Sequence, residues 1–384
     1  FFFLALATIA RAPAAMATQT ITKSVTATDT EVAGLWTAYL LVVAMLVVPN
    51  FILIHPYLHL LILGPLLVWI GCQRALLEAQ KAPGESNVEV VSKKDAMQFP
   101  LIGSCALFSL YLVVKFIKKE YIDLLISVYF AGLGTLGVFG AARPPVTRLL
   151  DPRGTLGQHK VDFNWKVWRS APSEDDQITF SFSMLDVALA LSCAAASAAY
   201  AVTKAWYLNN LLGCAFSIQG IEMLSLGSYA IGCTLLAGLF VYDVFWVFGT
   251  EVMVSVAKGL NAPIKVMFPK ALGVTPMPFS MLGLGDIVIP GIFVAMMLRF
   301  DAKLALPSQP YFYTNFAAYV AGLGLTVGVM HFFDSAQPAL LYLVPACILS
   351  SLLTAAVRGE LSPLLKYSEE KPEAAAEADA KKEQ

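Results

Sequence analysis

Leu239-Phe-Val-Tyr-Asp-Val-Phe-Trp246 and Met281-Leu-Gly-Leu-Gly-Asp-Ile-Val-Ile289 lie in two apolar runs, Ser228–Gly249 and Phe279–Phe300. A more polar, proline-containing connection over 250–278 joins them. Each run places one acid, Asp243 or Asp286, in sequence otherwise suited to lipid. A carboxylate at membrane depth costs at least ~2.5–3.5 kcal/mol on insertion scales, so such a residue marks a functional site unless shown otherwise. If both runs cross a bilayer as antiparallel helices, Asp243 lies six residues before the end of one and Asp286 seven after the start of the next. At ~1.5 Å per residue both then sit about 10 Å in from the same boundary and can face one another.

The whole chain is of this character. It has 384 residues, 58% hydrophobic and 14% charged, with a mean hydropathy of +0.68. A soluble domain carries roughly 25% charged residues. An all-α polytopic membrane protein is the fold class this predicts. Runs of about 17–25 apolar residues suit a span. Nine qualify: Leu58–Leu77, Phe99–Lys118, Tyr121–Ala141, Ser183–Lys204, Trp206–Leu224, Ser228–Gly249, Phe279–Phe300, Phe312–Phe333 and Gln337–Val357. A further run, Leu35–Ile54, is an extra span, an interfacial helix, or the first half of one kinked element. Pro49 and Pro56 argue against a single straight helix. The chain thus divides into 1–34, a leader or flexible tail; 35–359, the membrane domain; and 360–384, a disordered tail. Within the first 34 residues, Phe1–Ala10 and Ala12-Pro-Ala-Ala15 read equally well as a signal-peptide tail or as sequence preceding a true start at Met16.

Lys and Arg set orientation. They concentrate in the loops 78–98 and 142–182 and beyond 357, so that side, with the C-terminus, is expected to be cytosolic and 250–278 to be lumenal. The chain ends Lys381-Lys-Glu-Gln384. A lysine pair at these positions of a cytosolic tail reads as a retrieval address to the endoplasmic reticulum, and otherwise as one more solvated charge run. A net charge of −1 gives no reason to propose nucleic acid as a partner. The six cysteines sit in apolar runs without zinc-site spacing, so no metal and no cofactor is called for.

Two carboxyls sharing a site do not easily both ionise, and the pair titrates as a unit. One carboxylate can then take a proton from water while its protonated partner polarises a scissile carbonyl. Gly283 and Gly285, flanking Leu284, remove side chains beside the acid and let a substrate chain come close. Tyr242 either orients a carboxyl with its hydroxyl or packs in the bundle. Asp186 and Glu222 read as interfacial. Asn209 and Asn210 bond between helices or shape a polar entry, and Lys265 orders the connecting loop.

Tyr242-Asp243, the Gly283-x-Gly-Asp286 segment (GxGD) and Gln337-Pro-Ala-Leu340 occur in order on separate spans. Together with Leu239–Thr250, Ala262-Pro-Ile-Lys265, Ser280–Ile292 and Gln337–Cys347, they resemble the signal peptide peptidase family of intramembrane aspartyl proteases, relatives of presenilin. The resemblance covers roughly Leu58 to Val357. It implies a presenilin-like bundle of nine spans, with Asp243 and Asp286 as the catalytic pair. It also implies Pro338, Ala339 and Leu340 as the family's Pro-Ala-Leu motif, shaping the site. The substrates implied are transmembrane peptides, above all remnant signal peptides and other type II-oriented segments, in the endoplasmic reticulum membrane. Pro338, with its fixed φ, also suits a helix start, and backbone beside it can pair with an unwound substrate. Two other readings stay open: a proton- or cation-coupled transporter with an acid relay, and an inert scaffold that escorts membrane proteins to the machinery degrading them. Homo-oligomerisation is left open as well.

Overall fold

A computed structural model of the chain describes residues 29–81, 88–116, 118–151, 159–164, 177–249, 262–271, 273–274, 277–333 and 337–369. It is mostly helical: α1 (Asp29–Val47), α2 (Pro56–Ala79), α3 (Lys93–Phe116), α4 (Lys119–Leu150), α5 (Met184–Thr203), α6 (Trp206–Met223), α7 (Tyr229–Phe248), α8 (Gly285–Lys303), α9 (Pro310–Phe333), α10 (Leu340–Arg358) and the short α11 (Leu361–Leu365). Among the described residues seven helices, α2 to α5, α7, α9 and α10, are long and apolar enough to cross a membrane. The other two expected spans are α6 and α8. Their faces turn toward protein rather than lipid, so they carry Asn209, Asn210, Gln219, Glu222, Arg299 and Asp301, polar residues that a lipid-facing helix avoids.

The centre of the molecule is the contact of α2, α6 and α8. From Ile287 to Asp301 every residue of α8 is buried. A Cβ on Gly71 of α2 would lie 2.7 Å from the Cβ of Ile221, and one on Gly291 of α8 would lie 2.5 Å from its Cδ1. Ile221 is therefore a wedge between two glycines, the close approach by which helices gain van der Waals contact where lipid gives no hydrophobic drive.

The run 35–54 is an antiparallel partner of α2. Tyr39 near the start of α1 meets Arg74 near the end of α2 (3.2 Å), and a 3-10 turn over Val48–Asn50 reverses the chain. It is not the first half of a kinked element, and Pro49 sits in the turn, where its missing N–H costs nothing. Helix α1 begins at Asp29, inside the segment expected to be a flexible tail; residues 1–28 lie outside the described residues.

Three short sheets interrupt the helices. β1 (Glu89–Val91) runs parallel to the buried β4 (Leu224–Leu226). β2 (His159–Asn164) and β3 (Gln177–Phe182) form an antiparallel pair. β5 (Lys265–Pro269) and β6 (Phe279–Gly283) form another, with Val266 opposite Leu282. This last pair corrects the expected span Phe279–Phe300: its first five residues are strand, and the helix begins only at Gly285. An unbroken apolar run does not by itself distinguish a buried strand from a buried helix.

The expected disordered tail from 360 also changes. After α11, Tyr367 to Glu369 fold back on the start of α7 and the end of α8. Ser368 bridges Ser228, the Tyr229 N–H donates to the Tyr367 carbonyl (3.2 Å), and the Glu369 N–H donates to Gly227 (2.8 Å). Arg299 of α8 pairs with Glu369 at 2.9 Å, and the Ser225 hydroxyl donates to the same carboxylate. Residues 370–384 lie outside the described residues.

Replacing Gly71 by Val is expected to destabilise the bundle by about 1–3 kcal/mol, the usual cost of overpacking. The check is thermal unfolding of the purified protein in detergent. An unchanged midpoint would show that Ile221 moves freely and is no wedge.

Candidate active site

The site is built on the β5–β6 pair. Asn209 and Asn210 stand near the start of α6, and Asn209 bonds between helices as expected, its side-chain oxygen accepting from the Tyr200 hydroxyl of α5 (3.4 Å). Asn209 donates to the Lys265 carbonyl (2.7 Å). Asn210 donates to the Met267 carbonyl and accepts from the Met267 N–H, both at 2.7 Å. One amide side chain thus occupies both backbone groups of a single strand residue. Strand alternation points Val266 and Phe268 into the core, where Phe268 meets the His59 ring edge-to-face at 4.7 Å between centroids. Burial lowers the Lys265 ammonium from its ordinary pKa.

β6 then delivers the second acid. The Leu284 N–H donates to the Ile264 carbonyl (3.0 Å), and α8 starts one residue later. Asp286 therefore sits in the first turn of a helix, not seven residues inside one, so its depth follows from the strand pair rather than from helical rise. The Gly283 N–H faces the Asp286 carboxyl. A Cβ on Gly283 would lie 3.2 Å from Asp286 Oδ2, so a side chain there would crowd the carboxyl; at Gly285 there is ordinary room. Leu284 is buried and packs toward Gly213 of α6.

Asp243, on the penultimate turn of α7, is 5% exposed, whereas Asp286 is half-buried. The two are close enough for their charges to interact. The Leu340 backbone N–H, at the first residue of α10, faces the Asp243 carboxyl, whose Oδ2 has no hydrogen-bond partner. Pro338 and Ala339 are buried in the turn that opens α10, with the Leu341 N–H donating to the Pro338 carbonyl. Asp243, Asp286 and the Pro338–Leu340 turn are thus brought together from three separate segments. Tyr242 lies beside them, its ring packing over Gly103 of α3, 3.5 Å from where a Cβ would be, and it meets Asp243 through charge rather than a side-chain hydrogen bond.

Reading the sequence missed Tyr319. It is fully buried on α9, within electrostatic reach of Asp286, and its hydroxyl has no hydrogen-bond partner. A tyrosine in mid-span was its only signal. Asp186 and Glu222 are structural: Asp186 caps α5 with Ser183 and takes both ends of Arg143 (2.8 and 3.0 Å), and Glu222 pairs with Arg74 at 2.7 Å.

Fold and site together define a polytopic helical membrane protein with two interacting acids at one end of the bundle. The signal peptide peptidase family model matches residues 84–371. Signal peptide peptidase of Mus musculus is 44% identical over 332 residues, covering 85% of this chain and 87% of the mouse protein. The Homo sapiens protein of that name is 44% identical over 331 residues, with the same coverage. A probable intramembrane protease of Schizosaccharomyces pombe is 37% identical over 319 residues, covering 81% of this chain and 94% of the yeast protein. The chain belongs to the signal peptide peptidase family of membrane proteases.

Asn210→Leu is expected to lower cleavage of a transmembrane peptide by about 10–100-fold, because the strand that sets Asp286 loses its anchor and small misplacements are costly. Turnover by purified variant, alongside its unfolding temperature, checks this; a folded variant with full turnover would refute the anchoring role.

Proposed function

We propose that the chain is an intramembrane aspartyl endopeptidase, with Asp243 and Asp286 as its catalytic pair. The observation that carries the reading is the meeting of the α7 acid, the α8 acid and the Pro338–Leu340 turn. The two carboxyls hold one proton between them. The ionised member draws a proton from water, the water attacks the scissile carbonyl, and the protonated member donates to its oxygen. On collapse of the tetrahedral intermediate the amine leaves with a proton and the pair returns to its starting state. Neither aspartate has a fixed role, because the proton is shared.

A substrate helix must unwind before its peptide bond is accessible, and its freed N–H and C=O groups then need partners where lipid supplies none. Backbone at Pro338–Leu340 supplies them, and Gly283 and Gly285 leave the space for the chain. Leu284, Ala339 and Leu340 pack the walls of the cleft. Substrates are remnant signal peptides, in line with the names of the mammalian relatives, and, as the family resemblance implies, other type II-oriented membrane segments.

Asp243→Asn and Asp286→Asn should each abolish cleavage of a synthetic transmembrane peptide by pure protein, since an amide does not cycle a proton. Cleavage above a few per cent in either variant would falsify the pair. We further propose residence in the endoplasmic reticulum membrane with a cytosolic C-terminus, read from Lys381-Lys382 and the Lys/Arg asymmetry. Lys381→Ala with Lys382→Ala should shift part of the protein to later compartments on fractionation. An unchanged distribution would remove the lysine pair as the address.

A further inference from the structure

The end of the bundle rich in Lys and Arg, where α2, α4 and α6 meet α1, has no part in proteolysis as read above. There these helices enclose a cavity of about 230 Å³. Arg74 lines it and is fully engaged, by Tyr39 (3.2 Å), by the Gly140 and Ala141 carbonyls (both 3.0 Å) and by Glu222 (2.7 Å). Lys81 pairs with Glu78, and Arg143 with Asp186. Arg148 lines the cavity from an exposed position and has no hydrogen-bond or ion-pair partner among the described residues. Once the pairs are formed, the lining keeps one positive charge in excess, at Arg148. Much of the remaining wall is apolar, including Trp36 from α1, Leu77 from α2, Phe139 and the Pro144-Pro145 step from α4.

Depth fits the same ligand. Helix α4 has 32 residues, so it is ~48 Å long. That exceeds a hydrocarbon core of ~30 Å, so its last turns, with Arg148, reach head-group level. A single unpaired guanidinium above an apolar slot complements an amphiphile with one negative charge at its head. A zwitterionic head brings its own ammonium against Arg148 and Lys81. A soluble anion leaves the apolar walls wet.

We propose that this cavity binds the phosphodiester head of an anionic glycerophospholipid. Arg148 contacts the phosphate, while Trp36 and Phe139 cover the first methylenes of the acyl chains. Basic recesses between transmembrane helices are a known physical solution for such heads. The lipid would also tie α1 to α4.

The test uses the full chain, purified in a neutral maltoside and titrated by native mass spectrometry with phosphatidylglycerol, phosphatidylcholine or glycerol 3-phosphate. One phosphatidylglycerol per chain is expected, bound at least about tenfold more tightly than phosphatidylcholine, with glycerol 3-phosphate failing to displace it at equal concentration. Arg148→Glu should lose about tenfold in affinity for phosphatidylglycerol while keeping the lipid-free unfolding temperature. Trp36→Ala, which leaves the charge intact, should weaken both lipids together. Equal retention of the two lipids, unchanged binding in Arg148→Glu, or displacement by glycerol 3-phosphate would each overturn the proposal. Because the readout is binding, it stands or falls separately from catalysis.

Discussion

Met267 has one backbone N–H and one C=O directed at α6, and Asn210 satisfies both. Non-helical backbone within a membrane bundle is tolerated only where protein supplies every hydrogen-bond partner. β5 lies where α2 and α6 begin, against His59 and the Asn209–Asn210 pair, and it meets this condition through β6 on one edge and the asparagine amides on the other. Removing that satisfaction leaves β6 without a defined position. The start of α8 follows β6, and Asp286 follows the start of α8. The placement of Asp286 therefore rests on two asparagine side chains remote from it in sequence.

The packing around this strand pair explains why the most central helices are the least lipid-like. Helices α6 and α8 are enclosed by neighbours, so polarity on them is rewarded by partners rather than penalised by lipid. Glu222 finds Arg74, and Asp301 accepts from the Tyr311 and Phe312 N–H groups at 3.3 and 2.7 Å. The tight Gly71–Ile221–Gly291 contact fixes α2 against both. A rigid three-helix centre then presents one acid on α8, while α7 and α10 supply the other acid and the turn that faces it.

Much of this was legible in the sequence. Every apolar run read as a span carries a helix, because a span's length and composition are set by the bilayer. The two acids and the Pro-Ala-Leu turn stood out because each is costly or unusual where it occurs. What was not legible depended on partners far away in the chain. The strand at Phe279–Gly283 reads as helix because an apolar run has no period to betray it; only Gly283 and Gly285 hinted at irregular backbone. Asn209 and Asn210 were visible as polar residues in a span, and Asn209 does bond between helices through Tyr200, but the partners that make the pair an anchor are backbone groups of β5, which leave no trace in side-chain pattern. The docking of Tyr367–Glu369 was hidden for the same reason, since Glu369 opens an acidic stretch that reads as solvated.

The docked segment gives the aspartate pair a mechanical setting. Tyr367–Glu369 holds the beginning of α7 and the end of α8, the ends remote from the two acids. From Tyr229 to Asp243 and from Asp286 to Arg299 the helices extend ~20 Å. Helix α8 is enclosed along its length by its neighbours, so α7 is the rod, held at one end with its carboxyl near the other, and a tilt of ~5° about the held end displaces its tip by ~2 Å at that length. The gap between the two carboxyls thus depends on the tilt of α7, which a three-residue pin at the opposite end of the bundle holds against the fixed α8.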